Sequence, residues 1–193
     1  MSRFLSVGLL FAAISLVAEA GNISGKVSGG KGVSVVWVEA VPQKAPPSPS
    51  GKPPVMDQRS LLFQPHILVA PVGSTIEFLN SDKVAHNIFW PAISGNKKLG
   101  HNLGTWPTGE KRTFQFDTPG VVPLLCNVHA EMSGYVIVTP TPFYAETDAS
   151  GAFKIANVPD GSYTVTAWHE GFKNSSKPVT VAGEATLDFA LSK

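Results

Sequence analysis

The sequence predicts an all-β protein, and three observations support that class. Short runs in which apolar and polar residues alternate, rich in valine and threonine, recur along the chain. Its 193 residues include 18 glycines and 16 prolines, which interrupt these runs at turns. Helical periodicity is nearly absent. We therefore expect short strands joined by turns and loops, with almost no helix.

Residues 1–20 have the pattern of a cleaved export signal. Arg3 supplies a positive charge, residues 4–17 are mostly apolar, and residues 18–20 read Ala-Glu-Ala, a small-x-small cleavage pattern. The apolar run is too short to span a membrane. We expect a mature protein that begins at Gly21, is periplasmic or secreted, and has no stable membrane insertion.

The remaining sequence predicts a strand pair, a connector and a longer series of strands. The strand pair covers residues 23–27 and 33–38, and residues 42–54 form a proline-rich linker. Residues 91–110 carry glycine, proline, asparagine and serine and predict a long loop. Further strands are predicted at residues 61–63, 67–70, 75–79, 86–90, 111–116, 120–125, 135–138, 153–155, 163–167 and 187–191.

Charge and cysteine content narrow the function. The formal net charge is +1, so neither nucleic acid nor an anionic membrane is an implied partner. Cys126 is the only cysteine, which excludes an intramolecular disulfide. Exported proteins usually pair their cysteines or have none. A bound metal would protect such a lone thiol.

One short segment combines three side chains that bind metals. Cys126, His129 and Met132 lie within seven residues, in a predicted loop between two strands, and His86 lies at the start of a strand forty residues upstream. Two imidazoles, a thiolate and a weak thioether form the ligand set of a blue copper site. The sequence therefore predicts one copper ion with His86, Cys126 and His129 in the trigonal plane and Met132 in the axial position.

Other interpretations of this segment are possible. A free cysteine and a methionine are often simply core residues. A c-type haem needs Cys-x-x-Cys-His, a dinuclear copper centre needs two bridging cysteines, and structural zinc normally uses more than one cysteine and no thioether. His101-Asn102 repeats the dipeptide His86-Asn87 and is the rival first ligand. We favour His86 because a regular strand and a turn lead into it.

Three stretches of the sequence resemble the cupredoxins. They are Pro71 to Asn80, His86-Asn87, and Cys126-x-x-His129-x-x-Met132-x-Gly134. The two-residue gap before the methionine is similar to amicyanin, and a wider stretch that includes Met56-Asp-Gln58 is similar to plastocyanin-like proteins of methylamine utilisation. The resemblance implies a Greek-key β-sandwich over residues 55–140 with copper at one end.

The same resemblance implies an activity and roles for neighbouring residues. The activity is transfer of single electrons between redox proteins such as a dehydrogenase, a cytochrome or an oxidase. Asn87 would tie the ligand strand to the loop at Cys126-Asn127, so Asn87 and Asn127 would support the ligands. His129 would be the partly exposed ligand through which electrons leave. Glu131 departs from the apolar or small residue that is common at this place.

The end of the chain resembles a different family. Thr147-Asp-x-x-Gly-x-Phe-x-Ile and then Val158-Pro-x-Gly-x-Tyr163 are similar to carboxypeptidase regulatory-like domains, which are small transthyretin-like β-sandwiches. Residues 141–193 hold about half of such a fold, and residues 21–41 match the missing half. We therefore predict a split sandwich, 21–41 with 141–193, into which the copper domain is inserted.

Three functions follow from these patterns. The first is an electron shuttle, the second a copper carrier or storage protein without redox turnover, and the third a structural or carbohydrate-contacting sandwich whose copper site is vestigial. An enzyme is not expected, because protein side chains fill all four positions of a blue copper site.

Overall fold

The computed structural model describes residues 20–41 and 51–193, whose regular secondary structure is almost entirely β-strand. The strands are β1 (Ala20–Ser28), β2 (Ser34–Val38), β3 (Val55–Arg59), β4 (Leu62–Gln64), β5 (Ile67–Pro71), β6 (Thr75–Asn80), β7 (His86–Trp90), β8 (His101–Trp106), β9 (Lys111–Gln115), β10 (Gly120–Leu125), β11 (Ser133–Thr139), β12 (Tyr144–Glu146), β13 (Ala152–Pro159), β14 (Gly161–His169), β15 (Ser175–Val181), β16 (Glu184–Thr186) and β17 (Phe189–Ala190). The predicted export signal up to residue 19 and residues 42–50 of the predicted linker lie outside the described residues. No helix in the described ranges is long and apolar enough to cross a membrane.

The central part of the chain forms one β-sandwich. Its two sheets have the strand orders β5-β11-β10-β7-β8 and β4-β3-β6-β9. β10 and β11 are antiparallel neighbours, whereas β5 runs parallel to β11. The core between the sheets contains large, fully buried side chains, among them Phe78, Trp90, Trp106 and Leu124. This core holds β7, β10 and β11 in place, and the candidate ligands lie at the ends of those three strands.

Strands from both ends of the chain build a second, terminal sandwich. One sheet has the order β13-β1-β16, with β17 also paired to β1, and the other has the order β12-β2-β14-β15. β1 runs antiparallel to β13 and parallel to β16 and β17, and β2 lies between β12 and β14. Residues 20–38 thus supply an inner strand to each sheet of a unit whose other strands come from residues 144–190.

A third apolar layer lies between the two sandwiches. Successive side chains of a strand point to opposite faces of the sheet, and in β2 and β11 both faces are covered. Val36 and Val38 of β2 pack in the terminal core. The layer between the sandwiches contains Val35, Trp37, Val69, Ile137 and Trp168, with the partly buried Ile67, Val121, Tyr135 and Tyr144 packed against it. The outer face of the β5-β11-β10 sheet is therefore covered by the β2-β14 sheet.

The chain returns from the central to the terminal sandwich through a short segment with several hydrogen bonds. Thr139 Oγ1 donates to Thr141 O at 2.8 Å, and Thr141 Oγ1 donates to Val38 O at 2.7 Å. The backbone N–H of Val38 in turn donates to Phe143 O at 2.9 Å. These bonds fix the crossing to the end of β2.

Two elements of the central sandwich differ from the sequence prediction. Residues 91–110 are not one long loop, because they contain a short 3-10 helix, Lys97–Leu99, and strand β8. β8 forms the edge of its sheet and only Trp106 in it is buried. An edge strand with mostly exposed side chains lacks the apolar alternation that reveals a strand. β3 was not predicted either, because one of its buried side chains is the polar Gln58, which interrupts the apolar alternation of a strand.

Candidate metal centre

Two neighbouring strands bring the candidate ligands to the same end of the central sandwich. β7 begins with His86, and β10 ends one residue before Cys126. The two strands are antiparallel neighbours, with Leu125 paired to Phe89. The segment from Cys126 to Met132 connects β10 to β11, so its side chains lie above the start of β7.

Three ligand atoms converge at this end. His86 Nδ1 lies 4.0 Å from Cys126 Sγ and 3.0 Å from His129 Nδ1, and the ligand atoms of all three residues are within 4.8 Å of one another. His86 is fully buried, Cys126 is 4% exposed, and His129 is partly exposed. The site is therefore closed towards the core and open to solvent only around His129 and its loop.

These separations are within about 0.3 Å of those expected for ligands of a single metal ion. Metal bonds of about 2.0 Å to nitrogen and about 2.3 Å to sulfur place neighbouring ligand atoms of one ion roughly 3.3 to 3.7 Å apart. The two observed distances lie on either side of that range. Two unprotonated imidazole nitrogens that face each other at 3.0 Å repel unless a cation or a proton lies between them. One thiolate with two imidazoles is a donor set that suits copper, so the cofactor of this centre is copper.

Met132, the predicted axial ligand, is fully buried and belongs to the same core cluster as Cys126. Its backbone N–H donates to His129 O at 3.1 Å, which closes the turn that follows the histidine. The Met132 side chain therefore lies in the core, whereas His129 is partly exposed.

Asn87 connects three segments around the site. Its Oδ1 accepts from the backbone N–H of Asn127 at 3.3 Å. Its Nδ2 donates to Asn102 Oδ1 and to Gly104 O, both at 2.8 Å. Asn87 is 2% exposed, so these bonds are largely shielded from water. They hold the ligand loop and the edge strand β8 against β7.

The rival histidine, His101, lies away from the three converging atoms. It pairs with Trp90 at the far end of β7, whereas His86 pairs with Trp106 at the near end. Four residues along a strand correspond to about 13 Å. The His101 ring packs at a tilt against Trp90 and Phe114, at centroid distances of 5.3 and 4.8 Å. The second dipeptide contributes instead through Asn102, which accepts the hydrogen bond from Asn87.

Sequence reasoning missed Asp82, which contacts His86. Its Oδ2 lies 3.1 Å from His86 Nε2 and its side chain is 15% exposed. Backbone hydrogen bonds from Leu61 and Lys83, and then the bond from His86, lower the pKa of this carboxyl to about 2. Asp82 is therefore an anion at neutral pH. The polar turn Asn80-Ser-Asp82 just before β7 was the only sequence feature that pointed to this residue. The same residue types are typical of any ordinary turn.

Gly134, two residues after Met132, permits a close approach of backbones. A Cβ at this position would lie 2.9 Å from Phe63 Cβ and 3.0 Å from His66 O. The neighbouring Tyr135 N–H donates to the same His66 oxygen at 2.8 Å. A larger residue would push β11, and with it the end of the ligand loop, away from the β4–β5 connection.

The surface around the partly exposed ligand is mixed in character. Val128, beside His129, is 51% exposed, and Val84, two residues before His86, is 44% exposed. Lys83 and Glu131, which are both exposed, add one charge of each sign. The exposed residues that neighbour the two histidine ligands in sequence thus include apolar groups and charges of both signs.

Two family models match the chain. Residues 54–139 match the copper binding proteins of the plastocyanin/azurin family, and residues 127–192 match the carboxypeptidase regulatory-like domain. Each match covers less than half of the chain. The second match begins inside the ligand loop and includes β11, which pairs with β5 and β10 of the central sandwich. It does not include β1 and β2, which pair with the C-terminal strands.

Solved structures similar to the chain include several copper proteins. A purple cupredoxin from Nitrosopumilus maritimus is 26% identical, with 45% of this chain and 99% of that chain covered and a TM-score of 0.40. A reduced variant of amicyanin is 20% identical, with 46% and 84% covered and a TM-score of 0.42. A copper-containing nitrite reductase from Thermus scotoductus is 25% identical, with 52% of this chain but only 25% of the reductase covered and a TM-score of 0.42.

The copper-binding match covers all strands of the central sandwich, whereas the other match covers only the C-terminal strands of the terminal sandwich. The region that matches the copper-binding model contains His86, Cys126, His129 and Met132. The chain therefore contains a region similar to the copper binding proteins of the plastocyanin/azurin family and a C-terminal region similar to carboxypeptidase regulatory-like domains.

Proposed function

We propose that this protein binds one type 1 copper ion and carries single electrons between redox partners outside the cytoplasm. His86, Cys126, His129 and Met132 would hold the ion, and Asn87 and Asn127 would support these ligands. The observation that carries the proposal is the convergence of one thiol and two imidazoles within 4.8 Å at the end of a sandwich. Copper, when bound, gains and loses one electron between Cu(I) and Cu(II).

The protein's own residues would keep the reorganisation small when the charge of the site changes. His86 is buried and hydrogen-bonded on its far side to Asp82, and the loop is tied to β7 through Asn87 and Asn127. A site held in this way has little freedom to rearrange. Rigid support of ligands is what outer hydrogen bonds provide in metal sites.

Electrons would pass through the open side of the site. His129 is the ligand nearest to solvent, and the exposed apolar side chains of Val84 and Val128 lie beside the two histidine ligands in sequence. A partner could exclude water at this surface without having to pair many charges. The nearly neutral chain offers little long-range electrostatic steering.

Export is part of the proposal. It rests on the signal pattern in residues 1–20. Expression with the natural N-terminus, followed by mass measurement of the mature chain, tests it. A periplasmic or secreted product that begins at Gly21 supports export, and an uncut cytoplasmic product contradicts it.

The decisive experiment adds Cu(II) to the purified protein and records visible absorption and the reduction potential. A strong thiolate-to-copper band with reversible one-electron cycling supports the shuttle. Colourless binding of Cu(I) without cycling identifies a copper carrier instead, and no binding of copper contradicts both functions. The two His-Asn dipeptides supply a matched pair of variants. His86→Ala should lose the band, whereas His101→Ala should keep it.

The similarity to a nitrite reductase raises an enzymatic alternative, which we do not favour. Within residues 20–41 and 51–193, the only group of three or more His, Cys, Asp or Glu residues with converging ligand atoms is the one around Cys126. If Met132 completes it, four protein ligands leave no open position for a substrate. Nitrite reduction by the copper-loaded protein, with electrons supplied by a chemical donor, would contradict this view.

A further inference from the structure

The two ring nitrogens of His86 have different surroundings. Nδ1 faces the site, 3.0 Å from His129 Nδ1 and 4.0 Å from Cys126 Sγ. Nε2 points the other way, 3.1 Å from Asp82 Oδ2. A carboxylate can only accept a hydrogen bond, so Nε2 carries the proton and donates it to Asp82. A neutral imidazole has one such proton, and Nδ1 is then left with a free lone pair.

The Asp82 carboxylate is itself held from several directions. Its Oδ2 also accepts from the backbone N–H of Leu61 at 2.8 Å, and its Oδ1 accepts from the backbone N–H of Lys83 at 2.8 Å. The Asp82 N–H donates to Asn80 Oδ1 at 3.0 Å. With both oxygens engaged, the side chain has no freedom to turn away from His86.

The contact from Leu61 depends on an unusual hairpin turn. β3 and β4 are joined by two residues, Ser60 and Leu61, with φ of 56° and 59°. Two-residue hairpins of this kind strongly prefer Asn-Gly, because both central residues need positive φ. Residues held in such regions cost about 1–3 kcal/mol each and persist where the surroundings hold them. Here the turn aims the Leu61 N–H at Asp82.

From this geometry we infer that Asp82 is a positioning residue of the metal centre: it holds His86 as the tautomer that presents Nδ1 to copper, and it lowers the reduction potential. The inference rests on the proposed function, since it concerns the same site. Nothing in the loop from Cys126 to Met132 performs this role. It comes instead from the turn before β7 and from the β3–β4 hairpin.

The direction of the effect on the potential follows from charge. A carboxylate that accepts from the outer nitrogen of a ligating histidine makes the ring a stronger electron donor. A stronger donor stabilises Cu(II) more than Cu(I), because Cu(II) carries the greater positive charge. Removal of the negative charge should therefore raise the potential.

A purely structural role for Asp82 is the competing explanation. The carboxylate caps a turn through two backbone bonds, and that alone would stabilise the fold. Such a role predicts a lower stability for variants but leaves the tautomer of His86 and the potential unchanged. Asp57 provides a matched control, because its Oδ1 accepts from the backbone N–H of Ser81 at 3.1 Å in the same region. No hydrogen bond of Asp57 to His86 is found among the described residues.

The test compares wild type, Asp82→Asn and Asp57→Asn, each loaded with copper. We expect Asp82→Asn to shift the Cu(I)/Cu(II) ratio at fixed potential about tenfold towards Cu(I), a rise of about 59 mV for one electron. The affinity for Cu(II) should fall about 10-fold to 100-fold. Asp57→Asn should change the ratio by less than about twofold. Equal potentials in wild type and Asp82→Asn would overturn the inference.

A measurement on the metal-free protein keeps the inference testable even if a variant does not fold. Nitrogen-15 NMR of the imidazole groups in wild type should show the proton of His86 on Nε2, and a proton on Nδ1 would overturn the inference. If wild type binds no copper, the proposed function fails, and the tautomer still decides the role of Asp82. If wild type cycles normally but Asp82→Asn has the same potential, the inference alone fails.

Discussion

In the central sandwich, His86 at the start of β7 and Cys126 and His129 in the loop after β10 converge on one point. In the terminal sandwich, His169 ends β14, yet its Nδ1 donates to Val33 O at 3.0 Å and lies 3.2 Å from Ser34 Oγ. This nitrogen of His169 is therefore engaged by the backbone and side chain of the neighbouring segment. Both units follow the same alternation of buried and exposed residues. The difference in chemistry comes from the residue types in the connections.

The two sandwiches also differ in how the chain closes them. All described strands of the central unit lie between residues 55 and 139, whereas the terminal unit joins residues 20–38 to residues 144–190. We propose that the terminal unit folds as one domain and that the central unit is inserted into it. Under this proposal the candidate metal centre lies in the inserted central unit and not in the terminal unit.

The largest expected effect is on metal binding by the central unit alone. Cys126→Ser removes the thiolate, the softest ligand of the set, so the intense visible band should disappear completely. The two cores should remain intact, because serine is close in size to cysteine. Absorption spectra and metal analysis check the first expectation, and far-ultraviolet circular dichroism checks the second. A variant that stays equally blue would show that the ligand assignment is wrong.

The next prediction tests the closure of the terminal unit. Ile23 in β1 is fully buried in the terminal core, so Ile23→Ala should lower the free energy of unfolding by about 2–5 kcal/mol. Val33→Ala is the control, because Val33 is 36% exposed and should cost no more than about 0.5 kcal/mol. Amide exchange should be faster in β13 and β14 of the Ile23 variant. Faster exchange confined to the central unit would contradict the split domain.

The third prediction concerns the layer between the units. Trp168 is 5% exposed and its ring lies 5.2 Å from that of Tyr135. Trp168→Ala should cost about 3 kcal/mol and uncouple the units, so that denaturant unfolding changes from one transition to two. Thr164→Ala on the exposed side of the same strand should leave a single transition. Two transitions already present in wild type would mean that the layer does not couple the units.

The parts of this molecule that the sequence predicted are those with a local pattern. The spacing from Cys126 to Met132 predicted the ligand loop, and β7 begins and ends at the predicted residues. Asp82 could not be assigned, because its contact with His86 depends on a hairpin twenty residues upstream. β8 was missed because an edge strand needs few buried residues. The burial of both faces of β2 and β11 could not be predicted, because it depends on how the two sandwiches pack against each other.

A smaller effect is expected at the axial position. Met132→Leu nearly conserves volume, so it should cost less than about 1.5 kcal/mol in stability. The blue band should remain, because the thiolate and both imidazoles are retained. Loss of the thioether removes a weak electron donor, and electron donation stabilises the more highly charged Cu(II) more than Cu(I), so the potential should rise, by on the order of 59 mV. Voltammetry checks this, and an unchanged potential would mean that Met132 does not contact the metal.

The smallest effect belongs to the terminal unit and depends on pH. Asp148 accepts from Ser150 Oγ at 2.7 Å and from the backbone N–H of Ala152 and Ser150, and these bonds lower its pKa below 3.8. A carboxyl whose pKa is lower in the folded than in the unfolded state stabilises the fold above its unfolded pKa. That stabilisation is lost as the pH falls through the folded value.

Asp148→Ala should therefore be less stable than wild type near neutral pH, and the difference should shrink as the pH falls from about 4 towards the folded pKa. Urea unfolding at several pH values measures it. Ser150→Ala removes the first of the three bonds and should show a smaller loss with the same pH dependence. Copper binding should not change in either variant, because the turn lies in the terminal sandwich. A difference that stays constant with pH would mean that the carboxylate contributes through packing rather than through its charge.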